Sequence, residues 1–246
     1  MTRVREINPE KIDQDRNLFQ STFWAKFKES RGYDTQTFKV DYEGKKFSLV
    51  MVHRRVTSDA GYGYVPYGPD ISLPQEEQGP FLEQLSEHVR RRLPEKCCFL
   101  RYDLPWGDPY SFEGVRDVWN GPPEPRIQEL RMNFGSKNWN LRKSPTDMQP
   151  ANTVVLDLNK SEDLIFQEMH PKTRYSVRRA VRLGVRVKLK GPGSLPAWHR
   201  LYLEMAERKA IVAESLDYFM ELFGTSMNHE PELRLYLSLK NKEILA

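Results

Sequence analysis

Phe19, Phe23, Trp24 and Phe27 recur at the three- and four-residue spacing of one helical face, and with Gly32 as a stop they predict a helix over 17–32. The apolar positions then change period. Runs over 35–40 and 47–54 predict β-strands, joined through Asp41-Tyr42-Glu43-Gly44, a hairpin turn. The stretch Gly61-Tyr62-Gly63-Tyr64-Val65-Pro66-Tyr67-Gly68-Pro69-Asp70 reads as a strand entering a tight, aromatic-lined loop. Phe81, Leu82, Leu85 and Val89 set a helix over 75–93, and a short strand follows over 98–104. The first third of the chain is therefore α plus β.

Periodicity fades over 105–150, which holds seven of the 17 prolines around one short helical stretch, 126–134. We read it as a segment crossing between two units, 1–150 and 151–246. The second unit opens with a strand over 153–158 and a helix near Ser161. Pro171 cannot sit inside that helix, so it begins a second one that ends at Gly184. Further helices follow, one lined by Trp198, Leu201, Tyr202 and Met205, another over 216–223, and then a half-buried strand over 233–239. Beyond Leu239 a turn leads into Ile244-Leu245-Ala246, the beginning of a partner strand. A hairpin arm of about three residues leaves its partner largely unpaired, so the expectation is a chain that is a fragment of a longer protein.

Composition narrows the class. At 246 residues with 39% hydrophobic and 29% charged side chains, the chain is globular and neither disordered nor fibrous. No apolar run approaches the roughly 20 residues of a bilayer-spanning helix, and the charged amino terminus carries no signal core, so a cytoplasmic protein is expected. Cys97 and Cys98 are adjacent, which excludes a disulfide scaffold and a cysteine-ligated zinc site; no metal is expected. The net charge of +4 conceals an asymmetry. Residues 169–190 carry eight lysines and arginines and no acid, which leaves the rest of the chain at −4. A patch of one sign implies an anionic partner: phosphate, nucleic acid or a membrane surface.

On a helical wheel the residues after Pro171 place Arg174, Tyr175, Arg178, Arg179 and Arg182 on one side and Thr173, Val177, Ala180 and Val181 on the other. The expectation is a core face opposite an arginine face. Planar guanidinium forks beside a helix amino terminus favour phosphate recognition. A solvated basic face is the plainer alternative.

The run His170-Pro171-Lys172-Thr173-Arg174-Tyr175-Ser176-Val177-Arg178-Arg179-Ala180, closing with Leu183-Gly184-Val185, resembles the motif of the FemABX peptidyltransferases. Gln20-Ser21 with Trp24 and Lys28 resembles that family's Q-S-x-x-W-x-x-x-K, and Tyr64-Val65-Pro66-Tyr67-Gly68-Pro69 resembles its Y-x-P-R-G-P loop. Similar stretches at 100–105, 149–150 and 204–224 fall in the family's order, so the resemblance spans nearly the whole chain. Tyr67 stands where the family often has arginine. The resemblance implies two GNAT-like (acyl-CoA N-acyltransferase-like) domains, the second incomplete here. It implies transfer of an amino acid from aminoacyl-tRNA to a stem-peptide amine of a peptidoglycan precursor, either lipid II or UDP-MurNAc-pentapeptide.

By the same resemblance, Lys28 and Arg174 contact the precursor's diphosphate, and Tyr64, Tyr67 and Asp70 line the substrate cleft. Lys172, Arg178, Arg179 and Arg182 would form an anion and tRNA patch. Without the resemblance, Lys28 reads as a solvent-exposed residue of an amphipathic helix, and the tyrosine loop as a structural turn. The implied chemistry needs a group to deprotonate the attacking ammonium; Asp70 is the first candidate and Asp103 the second, although a strand-end aspartate before Leu104-Pro105 reads more simply as a cap or turn residue. His53, His88, His170, His199 and His229 share no motif spacing, so no histidine-based acyl-enzyme is indicated. No acetyl-CoA pyrophosphate loop is present, so aminoacyl-tRNA is the expected co-substrate and no cofactor is expected. Peripheral membrane contact follows if the acceptor is lipid-linked. Two alternatives stand beside this reading: a tRNA- or phosphate-binding protein without catalysis, and an aminoacyl-tRNA–protein transferase.

Overall fold

The first helix starts where Ser21 allows it. Its hydroxyl accepts the backbone N–H of Trp24 at 3.1 Å, which divides the stretch expected over 17–32 into a 3-10 turn, Leu18–Gln20, and helix α1, Thr22–Ser30. Gly32 follows at φ +77°, a left-handed position that glycine adopts without strain. The structure, a computed structural model, describes residues 2–12, 17–107, 124–150, 153, 156–227, 231–241 and 243–245. The chain divides into two compact units, Met1–Ala151 and Asn152–Ala246.

The first unit is built on a five-stranded sheet. Strands β1 (Thr2–Ile7), β2 (Thr35–Tyr42), β3 (Lys45–Arg55), β4 (Gly61–Val65) and β5 (Cys97–Tyr102) lie in sequence order, with every neighbouring pair antiparallel except β4 and β5, which are parallel. β1 was not expected, because its charges hide an alternation in which Thr2 and Val4 alone are buried. The β2–β3 hairpin turns on Glu43 and Gly44, both at positive φ, and Asp41 accepts the Gly44 N–H at 3.1 Å. Residues 47–52 of β3 are buried without a break. Phe47, Leu49 and Met51 join Phe38, Val40 and helix α2 (Gln75–Arg90) in the main core, while α1 lies against β2 and β3 and covers the opposite face.

Of the proline-rich segment, residues 108–123 lie outside the described part. Helix α3 (Pro125–Met132) packs on α2 at Gly79, where an added Cβ would stand 1.9 Å from the Met132 carbonyl oxygen. Glu83 of α2 accepts the backbone N–H groups of Lys137 and Asn138, so 133–138 is anchored to the first unit.

The second unit contains helices α4 (Glu162–Glu168), α5 (Pro171–Arg182), α6 (Leu195–Lys209) and α7 (Leu216–Ser226), and a three-stranded antiparallel sheet of β6 (Arg186–Lys190), β7 (Leu235–Lys240) and β8 (Glu243–Ile244). Ser161 caps α4 and His170 caps α5, with Pro171 in the first turn as its missing N–H requires. Gly184, at φ +79°, ends α5 in a pair of bonds, Gly184 N–H to Val181 and Val185 N–H to Ala180. The strand expected over 153–158 includes residues 154 and 155, outside the described part; Leu156 and Leu158 are exposed. Among the described residues Leu195, Leu235 and Leu237 form a buried apolar cluster in this unit, with Trp198, Leu216, Phe219 and Phe223 packed against them.

Candidate functional site

In the first unit the chemistry gathers where β4 and β5 end. Their parallel pairing sets Tyr64 opposite Arg101 and carries the chain on to Asp103. The Tyr64 hydroxyl donates to Asp103 Oδ2 at 2.7 Å, Arg101 Nε stands 3.8 Å from Asp103 Oδ1, and the Asp103 N–H extends the ladder to Val65 O at 3.0 Å. Burial, reinforced by the bond to Asp103, pushes the Tyr64 phenol well above its ordinary pKa, so it stays a proton donor to the carboxylate. Segment 146–150 is held over these strand ends by its neighbours' polar groups. Arg101 donates to Thr146 O, the Tyr62 hydroxyl to Met148 Sδ, Gln149 Nε2 to the Tyr64 hydroxyl, and the Tyr67 hydroxyl to Pro150 O at 3.3 Å.

The two amino-terminal motifs prove to be one structure. Gln20, 5% exposed, accepts the Val50 N–H at 2.8 Å through Oε1 and donates through Nε2 to Pro66 O at 2.6 Å, tying β3 to the loop after β4. Asn17 donates to Tyr67 O at 2.6 Å, and the Phe19 ring stacks on Tyr67 at 5.3 Å. Tyr64 and Tyr67 are thus fixed side by side in one framework. Asp70 is exposed and makes no hydrogen bond among the described residues, so it stands apart from the Tyr64–Asp103–Arg101 chain.

Lys28 corrects the solvent-exposed reading of its helix position. It is 8% exposed, with Nζ 4.5 Å from the Trp24 ring centroid, 5.2 Å from Phe27 and 5.4 Å from Tyr33. Three electron-rich faces stabilise an ammonium there. Period 3.6 alone could not show this, because Tyr33 arrives from beyond the helix end.

In the second unit an open groove of about 670 Å³ runs along α5, lined by Pro171, Arg174, Tyr175, Val177, Arg178, Val181 and Arg182. The division expected on the wheel is corrected in two ways. Val177 and Val181 are 41% and 68% exposed and share the groove with the arginines, so among the described residues they face no core. Lys172 and Arg179 do not line it, since 100° per residue carries both toward the far side of the helix from Arg174. The anion patch therefore separates into Arg174, Arg178 and Arg182 along the groove and Lys172 and Arg179 elsewhere. Arg174 also holds two helices together, because its Nη1 donates at 2.6 Å to both Gln167 O and Met169 O and closes the carboxyl end of α4. Arg178 rests on the Phe166 ring, with Cζ 5.0 Å from the centroid.

The Asp103 pairing escaped the sequence because it depends on β4 and β5 being parallel neighbours. The available signal was two short runs that each end in a polar residue, Tyr64 and Asp103, just before a proline-containing turn. Among the described residues no group of three or more histidine, cysteine, aspartate or glutamate side chains is arranged to hold a metal, and no helix is long and apolar enough to cross a membrane.

A five-stranded mixed sheet flanked by helices, ending in the tyrosine loop, and a second unit led by an arginine-lined helix define a mixed α/β protein of the class that the motifs indicate. The FemAB family profile matches residues 10–235, and the chain belongs to that family. It is similar to the lipid II:glycine glycyltransferase of Staphylococcus haemolyticus (strain JCSC1435), 25% identical over 115 residues, which is 46% of this chain and 27% of the relative. Its fold is similar to the crystal structure of FemX, with a TM-score of 0.64 at 17% identity, covering 96% of this chain and 57% of that one. The chain thus spans between about a quarter and just over half the length of these relatives.

Proposed function

We propose that this protein is an aminoacyltransferase of peptidoglycan bridge formation, moving an amino acid from aminoacyl-tRNA to a stem-peptide amine of a diphosphate-bearing precursor. The two compact units are proposed to be two GNAT-like domains. The family match over residues 10–235 carries the reading, because it takes in Lys28, the tyrosine loop and the α5 arginines in one alignment. The glycyltransferase relative, whose name gives lipid II as acceptor, supports the substrate class.

In this reading Lys28 and Arg174 are the cations that bind the diphosphate. Tyr64 and Tyr67 border the acceptor, and Arg178 and Arg182 supply the field for a phosphate backbone. The amine nitrogen attacks the ester carbonyl carbon, a C–N bond forms, and the ester C–O bond to the tRNA ribose breaks. One proton of the ammonium must leave before attack, and the departing ribose oxygen takes up a proton. Asp103 is occupied by Tyr64 and Arg101 and holds the tyrosine in place; Asp70, with no partner among the described residues, is proposed to accept the ammonium proton. Incubation of the protein with charged tRNA and either muropeptide precursor tests the proposal directly. Amino-acid transfer to the precursor, lost in Asp70→Asn by about 100-fold or more, is the expected result. Binding of tRNA without transfer across several aminoacyl-tRNAs would instead select a non-catalytic binding protein.

A further inference from the structure

Arg54, half-buried near the end of β3, makes no hydrogen bond or ion pair among the described residues, and its Nε is sheltered from solvent. Arg90 pairs with Glu87 and Arg142 with Glu129, and Arg101, whose Nε is sheltered in the same way, still has Asp103 at 3.8 Å. A guanidinium offers five donors in a fixed fork, and a sheltered donor with no acceptor raises the free energy of the fold unless something else supplies one.

Its surroundings are aromatic. Cζ lies 4.7 Å from the centroid of the Tyr33 ring, and the same ring stands 5.4 Å from Lys28 Nζ. Trp24, whose ring is 4.5 Å from that ammonium, also keeps a sheltered Nε1 without a partner. On the other side Arg54 is in register with Tyr62, whose ring stacks at 5.0 Å and 4° on Phe99 of the neighbouring strand. Phe99 is 54% exposed, so this strip of sheet lies open at its edge. The Lys28 and Arg54 cations thus share the Tyr33 ring, with no carboxylate at ion-pair distance from Arg54 among the described residues.

We propose that Arg54 binds an oxyanion, forming with the Lys28 charge a phosphate subsite that lies wholly within the first unit. The ammonium of Lys28 contributes as a charge, whatever else it bonds. This deepens the reading above, in which Lys28 meets the precursor's diphosphate: Arg54 takes an oxygen of the same group, and its fork supplies the directional bonds that a lysine cannot.

Titrations of the full chain with inorganic pyrophosphate, with UDP and with a polyprenyl diphosphate in detergent micelles test this, and the tightest of the three identifies the source of the phosphate. Arg54→Gln is expected to weaken all three by about tenfold or more with an unchanged melting temperature, and Arg54→Lys to recover part of the loss. Lys28→Ala serves as the comparison. If Lys28→Ala weakens binding and Arg54→Gln does not, the subsite is wrong while the diphosphate reading stands. If the wild-type chain binds none of the three probes, both fall. A loss of affinity in Arg54→Gln matched by an equal loss of stability would make Arg54 structural and overturn the proposal. Should Arg54→Gln fail to fold, Tyr33→Leu removes the ring beneath the guanidinium and is judged by the same criteria.

Discussion

Arg174 shows how one side chain can serve the fold and the ligand at once. Its Nη1 is committed to two carbonyls at the end of α4, while the residue also lines the α5 groove. Truncation therefore has two consequences. Arg174→Ala is expected to destabilise the second unit by about 1 kcal/mol, a modest figure because the site is half-exposed, and to weaken diphosphate binding by a larger margin. Arg174→Lys keeps the charge but loses the fork, so in thermal denaturation it should recover little of the stability while retaining part of the binding. Lys28 illustrates the opposite arrangement: its aliphatic stem and ammonium are enclosed by Trp24, Phe27 and Tyr33, so its position is set by packing before any ligand arrives.

Among the elements, the join between the turn before α1 and the loop after β4 carries most weight. Gln20 supplies the missing partners for Val50 and Pro66, and Gly68 lets the loop pass close beside it: an added Cβ would stand 2.7 Å from Gln20 Cδ and 2.9 Å from Val65 Cγ1. Because Gln20 is fixed at both ends of its amide, it cannot yield. Gly68→Ala should cost about 1–3 kcal/mol in chemical denaturation and displace Tyr67 from Phe19, visible as lost activity at a temperature where the variant is still folded. The strand β6 offers a different lesson. Arg-Val-Lys-Leu-Lys alternates as a strand should, yet Val187 and Leu189 are 63% and 57% exposed, and the pairing with β7 alone makes it a strand. Along the chain it is indistinguishable from more of the basic run.

For the whole molecule, the two units differ in how much apolar surface they bury. Among the described residues, fourteen buried side chains form the main core of the first, whereas Leu195, Leu235 and Leu237 form that of the second. Amide exchange should therefore be slowest in β2 and β3 and markedly faster in β6 and β7, and equal protection in both sheets would contradict this. The sequence by itself determined what depends on near neighbours: the helix start near Ser161, the hairpin turn over Asp41-Tyr42-Glu43-Gly44, the break at Pro171 and the helix end at Gly184, and a family resemblance that runs the length of the chain. Those features follow from local dihedral preferences and from bonds spanning a few residues, which spacing records. Only the tertiary structure decided that Lys28 is enclosed, that Tyr64 meets Asp103, and that Arg54 and Lys28 share the Tyr33 ring. Each of those depends on strands or helix ends brought together from distant positions, and one-dimensional periodicity contains no record of which neighbour a side chain will meet.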